Sequence, residues 1–423
     1  MTTTPPRLQL AIIGSGISGL GALHLLAPHH DVTVYEAAER LGGHTHTHTV
    51  ERWGQTFAVD SGFIVHNPEN YPLFTRLLAQ LGVNSRPTTM SFAVSNARTG
   101  LEYNATSLDT LFCQRRNLVS PRFLGMLADL ARFYREAPTV LARADMRSVG
   151  EFLEAGRYGD AFRDEHLAPM ASALWSCPSG QALEMPVAFL VRFMANHHML
   201  SFTGRPTWRV VEGGSHSYVK AILARVGETS AVIHTSTPAL RITRDDAGVT
   251  VASRLGEARF DHVIIACHAD QALALLADPS PVERKLLSAL PFVANDVALH
   301  HDQRLLPRNP KAVAAWNALV PEDPNEPCSV SYGMHLLQGI RSPEPFIVTL
   351  NRSDGIDPDK LIARMRYDHP VFTKEGVAAA ERLGKLDEGR FTHFAGAYLG
   401  FGFHEDGFRS AVNVAARLGV TFG

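Results

Sequence analysis

The chain is poor in cysteine and in net charge. Its 423 residues include four cysteines, Cys113, Cys177, Cys267 and Cys328, which lie far apart and form no C-x-x-C pair. This spacing predicts reduced thiols rather than a disulfide framework or a paired-cysteine zinc site. The formal net charge is −2, which gives no strong field that would attract nucleic acid. We therefore expect no nucleic-acid partner.

Long apolar runs are also missing. The run at residues 8–13 is far too short to span a bilayer, which takes roughly 20 apolar residues, and no run of that length occurs elsewhere. Residues 1–9 lack the basic region, apolar stretch and small-residue cleavage site of a signal peptide. The sequence therefore predicts a cytoplasmic protein that can lie peripherally on the inner face of a membrane without crossing it.

What the sequence does contain is a βαβ pattern at its N-terminal end. Residues 8–14 read as a short buried strand, residues 15–27 as a helix rich in leucine, and residues 31–36 as a β-branched strand. A strand, a glycine turn, a helix and a second strand form a unit whose strands are parallel. The fold class predicted from this pattern is α/β.

The turn of this unit carries chemistry. Gly14, Gly16 and Gly19 fit the pattern G-x-G-x-x-G. The first glycine permits the tight turn, the second lets the backbone approach a pyrophosphate, and the third allows close helix–strand packing. Glu36 ends the second strand, where its carboxylate can accept hydrogen bonds from a ribose diol. The helix N-terminus favours phosphate, so this context predicts a dinucleotide site without choosing between NAD and FAD.

The rest of the chain suggests two domains. Residues 67–196 are mostly helical in pattern, whereas three segments after residue 230 (231–234, 239–243 and 248–253) suggest a small meander and residues 260–266 another buried parallel strand. We predict that a Rossmann-like dinucleotide domain is assembled from residues 1–75, 205–277 and 387–423. A mixed α+β substrate domain would comprise residues 76–204 and 278–386.

A second glycine motif suggests which dinucleotide is bound. The segment from Arg40 through Gly42, Gly43 and His44 to Thr45 resembles the R-x-G-G-R-x-x-T motif of the flavin monoamine oxidase superfamily, which includes phytoene desaturases and protoporphyrinogen oxidases. The resemblance implies FAD and an amine-oxidase-like fold. His44 departs from the motif, because it replaces the second arginine.

The resemblance extends along nearly the whole chain, through residues 60–65, 208–215, 260–268, 394–396 and 402–407. In that family a helix starting at the last of these motifs directs its N–H groups at the flavin, where they stabilise the reduced form. The residues that the patterns and the resemblance together assign to the cofactor are Gly14, Ser15, Gly16, Ile17, Ser18, Gly19, Glu36, Ala37, Arg40, Gly42, Gly43, His44, Gly62, Phe63, Ile64, Ala239, Gly396, Glu405, Asp406, Gly407 and Phe408.

A narrower resemblance is to bacterial flavoproteins associated with cyclopropane-fatty-acid-synthase-like methyltransferases, of the furan fatty acid desaturase type. It is carried by residues 62–65, 70–73, 196–198, 213–215, 268–273 and 402–407. The resemblance implies desaturation of a methylated or unsaturated acyl chain of a membrane phospholipid, by hydride transfer to flavin N5, and a methyltransferase partner. The alternatives are an amine oxidase, a carotenoid-type desaturase, and an FAD-containing binding subunit of a lipid methyltransferase.

Two departures weaken amine oxidation. Many amine oxidases carry a lysine on a substrate-domain strand, whereas the corresponding residues 293–300 contain none, and Asn295 or Asp296 lies near the expected place. Ala397 replaces a glutamate that often follows the Phe-Ala-Gly of amine oxidases.

The candidate catalytic residues lie in the same C-terminal motif. His404 or Glu405 could remove a proton beside the flavin, and Tyr398 could line the flavin face. The alternatives are that Glu405 or Asp406 caps the helix or binds the ribityl chain, and that Tyr398 only packs.

Two further patterns are weaker. His44, His46 and His48 alternate, but no acidic cluster completes a metal site, and we predict no metal. Arg115, Arg116 and residues 122–134 place basic and apolar side chains at near-helical spacing. This segment could dock on anionic lipid and admit an acyl chain, or it could simply bury its apolar face.

Overall fold

The computed structural model describes residues 6–175, 177, 179–201, 204, 206–323, 326, 328–386 and 390–423. Its strands are β1 Gln9–Ile13, β2 Asp31–Tyr35, β3 Thr47–Arg52, β4 Gln55–Asp60, β5 Val65–His66, β6 Ser85–Pro87, β7 Phe92–Asn96, β8 Leu101–Asn104, β9 Arg209–Val211, β10 Val232–His234, β11 Ala239–Asp245, β12 Gly248–Ser253, β13 Gly256–Phe260, β14 His262–Ile265, β15 Phe292–His300, β16 Trp316–Val320, β17 Ser329–Gly333, β18 Ile347–Leu350, β19 Leu361–Pro370 and β20 Thr392–Phe394.

The α-helices are α1 Ile17–Leu26, α2 Pro72–Leu81, α3 Leu108–Leu111, α4 Pro121–Arg143, α5 Val149–Ala155, α6 Asp160–Phe162, α7 Ala168–Trp175, α8 Ser179–Glu184, α9 Val187–Asn196, α10 His216–Val226, α11 Ala269–Leu275, α12 Pro281–Ser288, α13 Met334–Leu337, α14 Lys374–Leu383 and α15 His404–Arg417. A π-helical segment, Arg163–Leu167, joins α6 to α7. None of the described helices is both long and apolar enough to cross a membrane.

The first large sheet is parallel and has five strands, in the order β10-β2-β1-β14-β20. Its central strands are almost wholly apolar, as expected for parallel strands that are covered on both faces. The strands come from three separate parts of the chain, and all five lie within the segments predicted for the dinucleotide domain. The carboxyl ends of β1 and β2, where a ligand binds in such sheets, carry Gly14 and Glu36.

Helix α1 packs between this sheet and α15. Small residues make the contact close: a Cβ added to Gly21 would lie 2.7 Å from the ring of Phe408, and one added to Gly407 would lie 2.6 Å from Ile17. The C-terminal helix is therefore fixed against the helix that begins at the glycine turn. This packing brings residues some 390 positions apart in sequence to one place.

The second large sheet is mixed and has seven strands, in the order β19-β15-β18-β17-β16-β7-β8. One hydrophobic core joins β7, β8 and β16 to the helical region from α4 to α9, through side chains such as Phe123, Phe133, Phe162 and Phe193. The near-helical spacing noted over residues 122–134 is confirmed, since these residues lie within α4.

The structure corrects part of the predicted meander. Residues 232–234 form β10, which pairs with β2 in the parallel sheet, while the meander consists of β11, β12 and β13. A short strand pattern does not say which neighbour it joins. The domain boundaries stay a prediction: those at 205 and 387 fall on residues outside the described set, and the small sheet β5-β9-β6 combines strands from both sides of the boundary at residue 75.

Candidate functional site

A single continuous cavity of about 1570 Å³ runs from the carboxyl edge of the parallel sheet into the helical region. Sites for one drug-sized ligand have volumes of roughly 300–1,000 Å³. The cavity can therefore hold a large cofactor together with a second ligand. Predicted cofactor residues that line it are Gly14, Ser15, Gly16, Ile17, Ser18, Glu36, Ala37, Arg40, Gly43, His44, Gly62, Phe63, Ile64, Ala239 and Gly396.

The glycine turn forms one end of the cavity. Gly16 precedes α1 without any side-chain cap, so the N-terminal backbone of the helix faces the cavity. A Cβ at Gly16 would meet no atom of the described residues within 4 Å, which leaves room for a ligand beside the backbone. Free N–H groups and the helix dipole favour an anionic group at this position.

Glu36 is held at the rim of the turn. Its carboxylate accepts hydrogen bonds from the backbone N–H and the hydroxyl of Ser15, at 2.8 and 2.6 Å, and from the N–H of Ala38 at 2.7 Å. The second glycine motif folds against the first, and the guanidinium of Arg40 donates to the carbonyl oxygens of Gly43 and Thr45. The loop that follows β2 is thereby fixed beside the phosphate-binding turn.

Two predicted cofactor glycines have a packing role instead. A Cβ on Gly19 would lie 1.9 Å from the carbonyl oxygen of Gly14, and one on Gly42 would lie 2.7 Å from that of Thr45. Neither residue lines the cavity. Gly19 thus serves the third role of the motif, close packing, whereas Gly42 shapes the loop that presents Gly43 and His44.

These residues fit FAD. The open face at Gly16 and the bare helix N-terminus suit a pyrophosphate, and Glu36 suits a ribose. Farther along the cavity wall, the buried hydroxyl of Tyr398 has no hydrogen-bond partner among the described residues. Buried polar groups are almost always paired, so this hydroxyl is suited to a polar group of a bound ligand.

His44 belongs to a stack of aromatic rings in the cavity wall. Its ring lies 5.2 Å from that of His369 and 6.2 Å from that of His268. Burial lowers the pKa of His44 well below its ordinary value and that of His369 to about 4. The amide nitrogen of Asn295 donates to Nδ1 of His369 at 2.9 Å. The residue that replaces the motif's second arginine is therefore a neutral imidazole.

His404, a predicted catalytic residue, lines the cavity at the start of α15. Its ring stacks on Phe63 with 3.5 Å between centroids, and its Nε2 lies 3.0 Å from the hydroxyl of Thr45 and 3.1 Å from that of Tyr218. Burial lowers the pKa of His404 to about 3. An imidazole with this pKa is a weak general base at neutral pH, so the geometry favours an orienting role.

The structure corrects the assignments of Glu405 and Asp406. The Glu405 carboxylate accepts hydrogen bonds from the N–H groups of Leu73 and Phe74 in the first turn of α2. The Asp406 carboxylate accepts from the N–H groups of Phe401 and Phe403 and pairs with Arg409. Neither side chain lines the cavity. Both satisfy backbone donors, which is the helix-capping alternative that the sequence left open.

Gly407 and Phe408, which the sequence assigns to the cofactor, also do not line the cavity. Both pack against α1. The part of this motif that does line it lies slightly earlier, at Gly402, Phe403 and His404. The physical reason is the turn of the helix. His404, the first residue of α15, faces the cavity, and the residues that follow turn towards α1 and α2.

The other end of the cavity is apolar. It is lined by Leu111, Met126, Leu127, Leu130, Met170 and Leu174, which come from α3, α4 and α7. We call this part the apolar arm. At its wall the hydroxyl of Tyr103 donates to the carbonyl oxygen of Glu165 and lies 2.8 Å from Nδ1 of His166. His166 belongs to the π-helical segment, a type of distortion that is frequent at functional sites.

Sequence reasoning missed most of the residues that surround His44 in the cavity wall. Tyr367 and His369 approach His44 from β19, and His268 approaches it from the segment that follows β14. No local motif marks the two residues of β19. On β15 the cavity is lined by Phe292 and Val297, while Asn295 supports His369 and Asp296 pairs with Arg364. Residues 268–273 belong to the stretches that carry the narrower family resemblance, and this is the signal that could have pointed to His268.

The other two histidines of the alternating pattern, His46 and His48, contact hydroxyl groups. His46 lies 3.0 Å from the hydroxyl of Tyr367, and His48 lies 2.9 Å from that of Ser61. No group of three or more histidine, cysteine, aspartate or glutamate residues within the described part of the chain is arranged to hold a metal ion. The four cysteines are free thiols.

Comparisons with known proteins agree with this architecture. The family model described as flavin containing amine oxidoreductase matches residues 17–308, more than half of the chain. A protein of Mycobacterium tuberculosis that carries the provisional name flavin-containing monoamine oxidase AofH is 25% identical over 295 residues. That match covers 66% of this chain and 61% of the relative. The chain thus matches about three fifths of that curated relative's length.

Two solved structures share the fold over almost the whole chain. Cyclohexylamine oxidase from Brevibacterium oxydans has a TM-score of 0.70 at 18% identity, covering 98% of this chain and 100% of the other. The CLA-producing fatty acid isomerase from P. acnes has a TM-score of 0.67 at 17% identity, covering 99% of both chains. Identities this low establish the fold and not the substrate. The chain belongs to the flavin-containing amine oxidoreductase family, and its cofactor is a flavin.

Proposed function

We propose that this protein is an FAD-dependent oxidoreductase that desaturates a methylated or unsaturated acyl chain of a membrane phospholipid. The observation that carries the proposal is the apolar arm, which continues from the cofactor end of the same cavity. An acyl chain is recognised mainly by burial of its methylene groups, each worth about 0.8 kcal/mol. A long arm lined by leucine and methionine supplies such an environment.

The cofactor would be held by the glycine turn, by Glu36 and by the backbone around Gly43 and Gly396. When bound, FAD supplies a hydride acceptor at its N5 position. The apolar arm excludes water and holds the acyl chain so that an activated allylic carbon can face that acceptor. The hydride of this carbon would pass to the flavin and a proton of its neighbour to a base, so the product has two hydrogens fewer. Oxygen or another electron acceptor would then reoxidise the flavin.

The charges in the cavity do not favour a cationic amine. Among the described lining residues the carboxylates are Glu36, at the glycine turn, and Asp368, which pairs with Arg366. Neither lies on α3, α4 or α7, whose side chains form the apolar arm. None of the described lining residues is a lysine, in agreement with the departure seen in the sequence of β15.

Tyr398 and His404 are the remaining candidates for roles beside the cofactor. Tyr398 offers a hydroxyl that has no hydrogen-bond partner among the described residues and is suited to a hydrogen bond with the cofactor or substrate. His404 connects Thr45 and Tyr218 to the ring of Phe63 and so orients the wall on which the cofactor would lie. We propose an orienting role for His404 in place of proton abstraction.

The direct test is anaerobic. The flavin-loaded protein is mixed with phospholipid that bears methyl-branched unsaturated chains, and the absorbance of oxidised flavin is followed. We expect bleaching, together with loss of two hydrogens from the lipid by mass spectrometry. Bleaching by amines but not by lipid would contradict the proposal and return the protein to amine oxidation. If neither lipid nor amines bleach the flavin and the protein stably binds a lipid methyltransferase, the result would favour a binding subunit.

A matched pair of variants tests the apolar arm itself. Leu127 and Leu141 are both half-buried leucines on α4, but only Leu127 lines the cavity. Leu127→Trp should fill the arm and slow flavin reduction by lipid at least tenfold, whereas Leu141→Trp should leave it near the wild-type rate. Equal rates for both variants would show that the acyl chain does not use this arm.

A further inference from the structure

Four large apolar side chains are exposed around α3 and the start of α4. Leu108 is 76% exposed, Leu118 52%, Val119 81% and Leu124 43%. Single exposed leucines are ordinary, but a contiguous group indicates an interaction site. These four side chains fall within 17 consecutive residues. We call them, with Arg115, Arg116 and Arg122, the α3–α4 surface.

The α3–α4 surface meets the cavity at Leu108. Leu108 lines the cavity and is also largely exposed, so the cavity reaches solvent beside it. Ser107 and Leu111 flank Leu108 on the same wall, and Leu127 continues that wall one turn beyond Leu124. A chain that enters beside Leu108 therefore passes directly into the apolar arm.

The charges on the surface are mainly positive. Arg115 and Arg122 are more than half exposed, and Arg116 is also exposed. The carboxylates that pair with these arginines are Asp109, which faces both Arg115 and Lys311, and Glu165, which is buried beside Arg122. The cations therefore outnumber the carboxylates and stand next to exposed aliphatic side chains.

Aliphatic side chains between arginines suit one kind of partner. Protein interfaces concentrate aromatic anchors within a polar rim, whereas the exposed large side chains here are leucine and valine. Interfacial membrane binding combines inserted apolar side chains with attraction between basic residues and anionic lipid.

We propose that the α3–α4 surface docks on a bilayer containing anionic phospholipid, with Leu118 and Val119 inserted, and that an acyl chain leaves the bilayer and enters the cavity beside Leu108. This inference rests on the proposed function for its substrate, but docking can be measured without turnover.

The test is flotation of the flavin-loaded, full-length protein with vesicles. One set is phosphatidylcholine alone, and the other contains phosphatidylglycerol as well. We expect binding to the anionic vesicles that weakens as salt is added, and little binding to the neutral ones. Equal binding to both sets, or no binding to either, would overturn the proposal.

Two matched variants locate the surface. Val119→Glu introduces a charge within it, and Leu255→Glu introduces the same charge at an exposed leucine (57% exposed) in the turn between β12 and β13. Val119→Glu should lower the affinity for anionic vesicles on the order of tenfold, whereas Leu255→Glu should not. Equal effects of the two variants would overturn the assignment of this surface.

A second readout separates docking from catalysis. Flavin reduction is measured with the phospholipid dispersed in detergent, where no bilayer has to be reached. Vesicle binding that depends on Val119, without reduction by dispersed lipid, would support docking and contradict the proposed function. Reduction by dispersed lipid without vesicle binding would support the function and overturn docking. Binding of a protein to this surface, with no binding of vesicles, would also overturn docking.

Discussion

The two ends of the cavity are built by different means. At the cofactor end, backbone and glycine form the wall: Gly16 leaves an open face, and the N-terminus of α1 supplies the polar groups. At the apolar arm, leucine and methionine side chains from several helices form it. A backbone-built site is encoded in consecutive residues, whereas a side-chain-built site depends on packing. The two ends should therefore fail in different ways when they are altered.

The largest effect is expected at Gly19. In Gly19→Ala the new Cβ would lie 1.9 Å from a backbone oxygen, so α1 has to shift. We expect a loss of about 3 kcal/mol or more in the free energy of unfolding, measured by chemical denaturation, since overpacking against backbone cannot relax easily.

Gly16→Ala is the matched comparison. Its backbone conformation is extended, with φ at −64°, and no atom in the described part of the chain lies within 4 Å of the new methyl group. Stability should change by less than about 1 kcal/mol, while the affinity of the apoprotein for FAD should fall at least tenfold. Wild-type FAD affinity in this variant would show that the pyrophosphate does not lie against Gly16.

Acid should weaken the histidine-rich wall at the cofactor end, where His44, His268 and His369 lie together. The folded-state pKa of His369 is about 4, below its unfolded value of about 6.5, so the unfolded chain binds more protons between these pH values. The stabilising contribution is complete above pH 6.5 and is lost as the pH falls towards 4. At pH 5 the loss from this histidine is about 2 kcal/mol.

His369→Gln tests this pH dependence, because glutamine can still accept the hydrogen bond from Asn295 but does not titrate. Thermal unfolding of the two proteins across pH 4 to 7 should show a shallower dependence for the variant. Parallel curves would mean that His369 is not buried as a neutral group.

A smaller effect is expected at Glu405. Glu405→Gln removes the charge that accepts hydrogen bonds at the first turn of α2, which should cost about 1–2 kcal/mol in the free energy of unfolding. Glu375→Gln, at an exposed position in the first turn of α14, is the control and should cost less. Loss of flavin reduction at unchanged stability would restore Glu405 as a catalytic residue.

The smallest effect is expected at Tyr398. Because its hydroxyl has no partner among the described residues, Tyr398→Phe should leave the stability of the apoprotein unchanged. The affinity for FAD should fall a few-fold, corresponding to about 1 kcal/mol for one hydrogen bond. Unchanged FAD affinity combined with slower reduction by substrate would instead place the hydroxyl on the substrate side.

The sequence by itself determined the cofactor end of the cavity. The βαβ pattern, the glycine spacing and Glu36 are local, so residues 8–36 predict both the strand–helix–strand fold and its ligand class. The long amphipathic pattern of α4 was equally readable, because a periodic stripe over 23 residues permits few alternatives.

Only the tertiary structure decided what else surrounds the cofactor end. It brought His268 and His369 beside His44, directed Glu405 to α2, and placed residues 232–234 next to β2. It also placed Leu108 of α3 in the wall of the same cavity as the apolar arm. These outcomes depend on contacts between residues far apart in sequence. Such contacts are fixed by how layers pack, and no local periodicity or spacing records them.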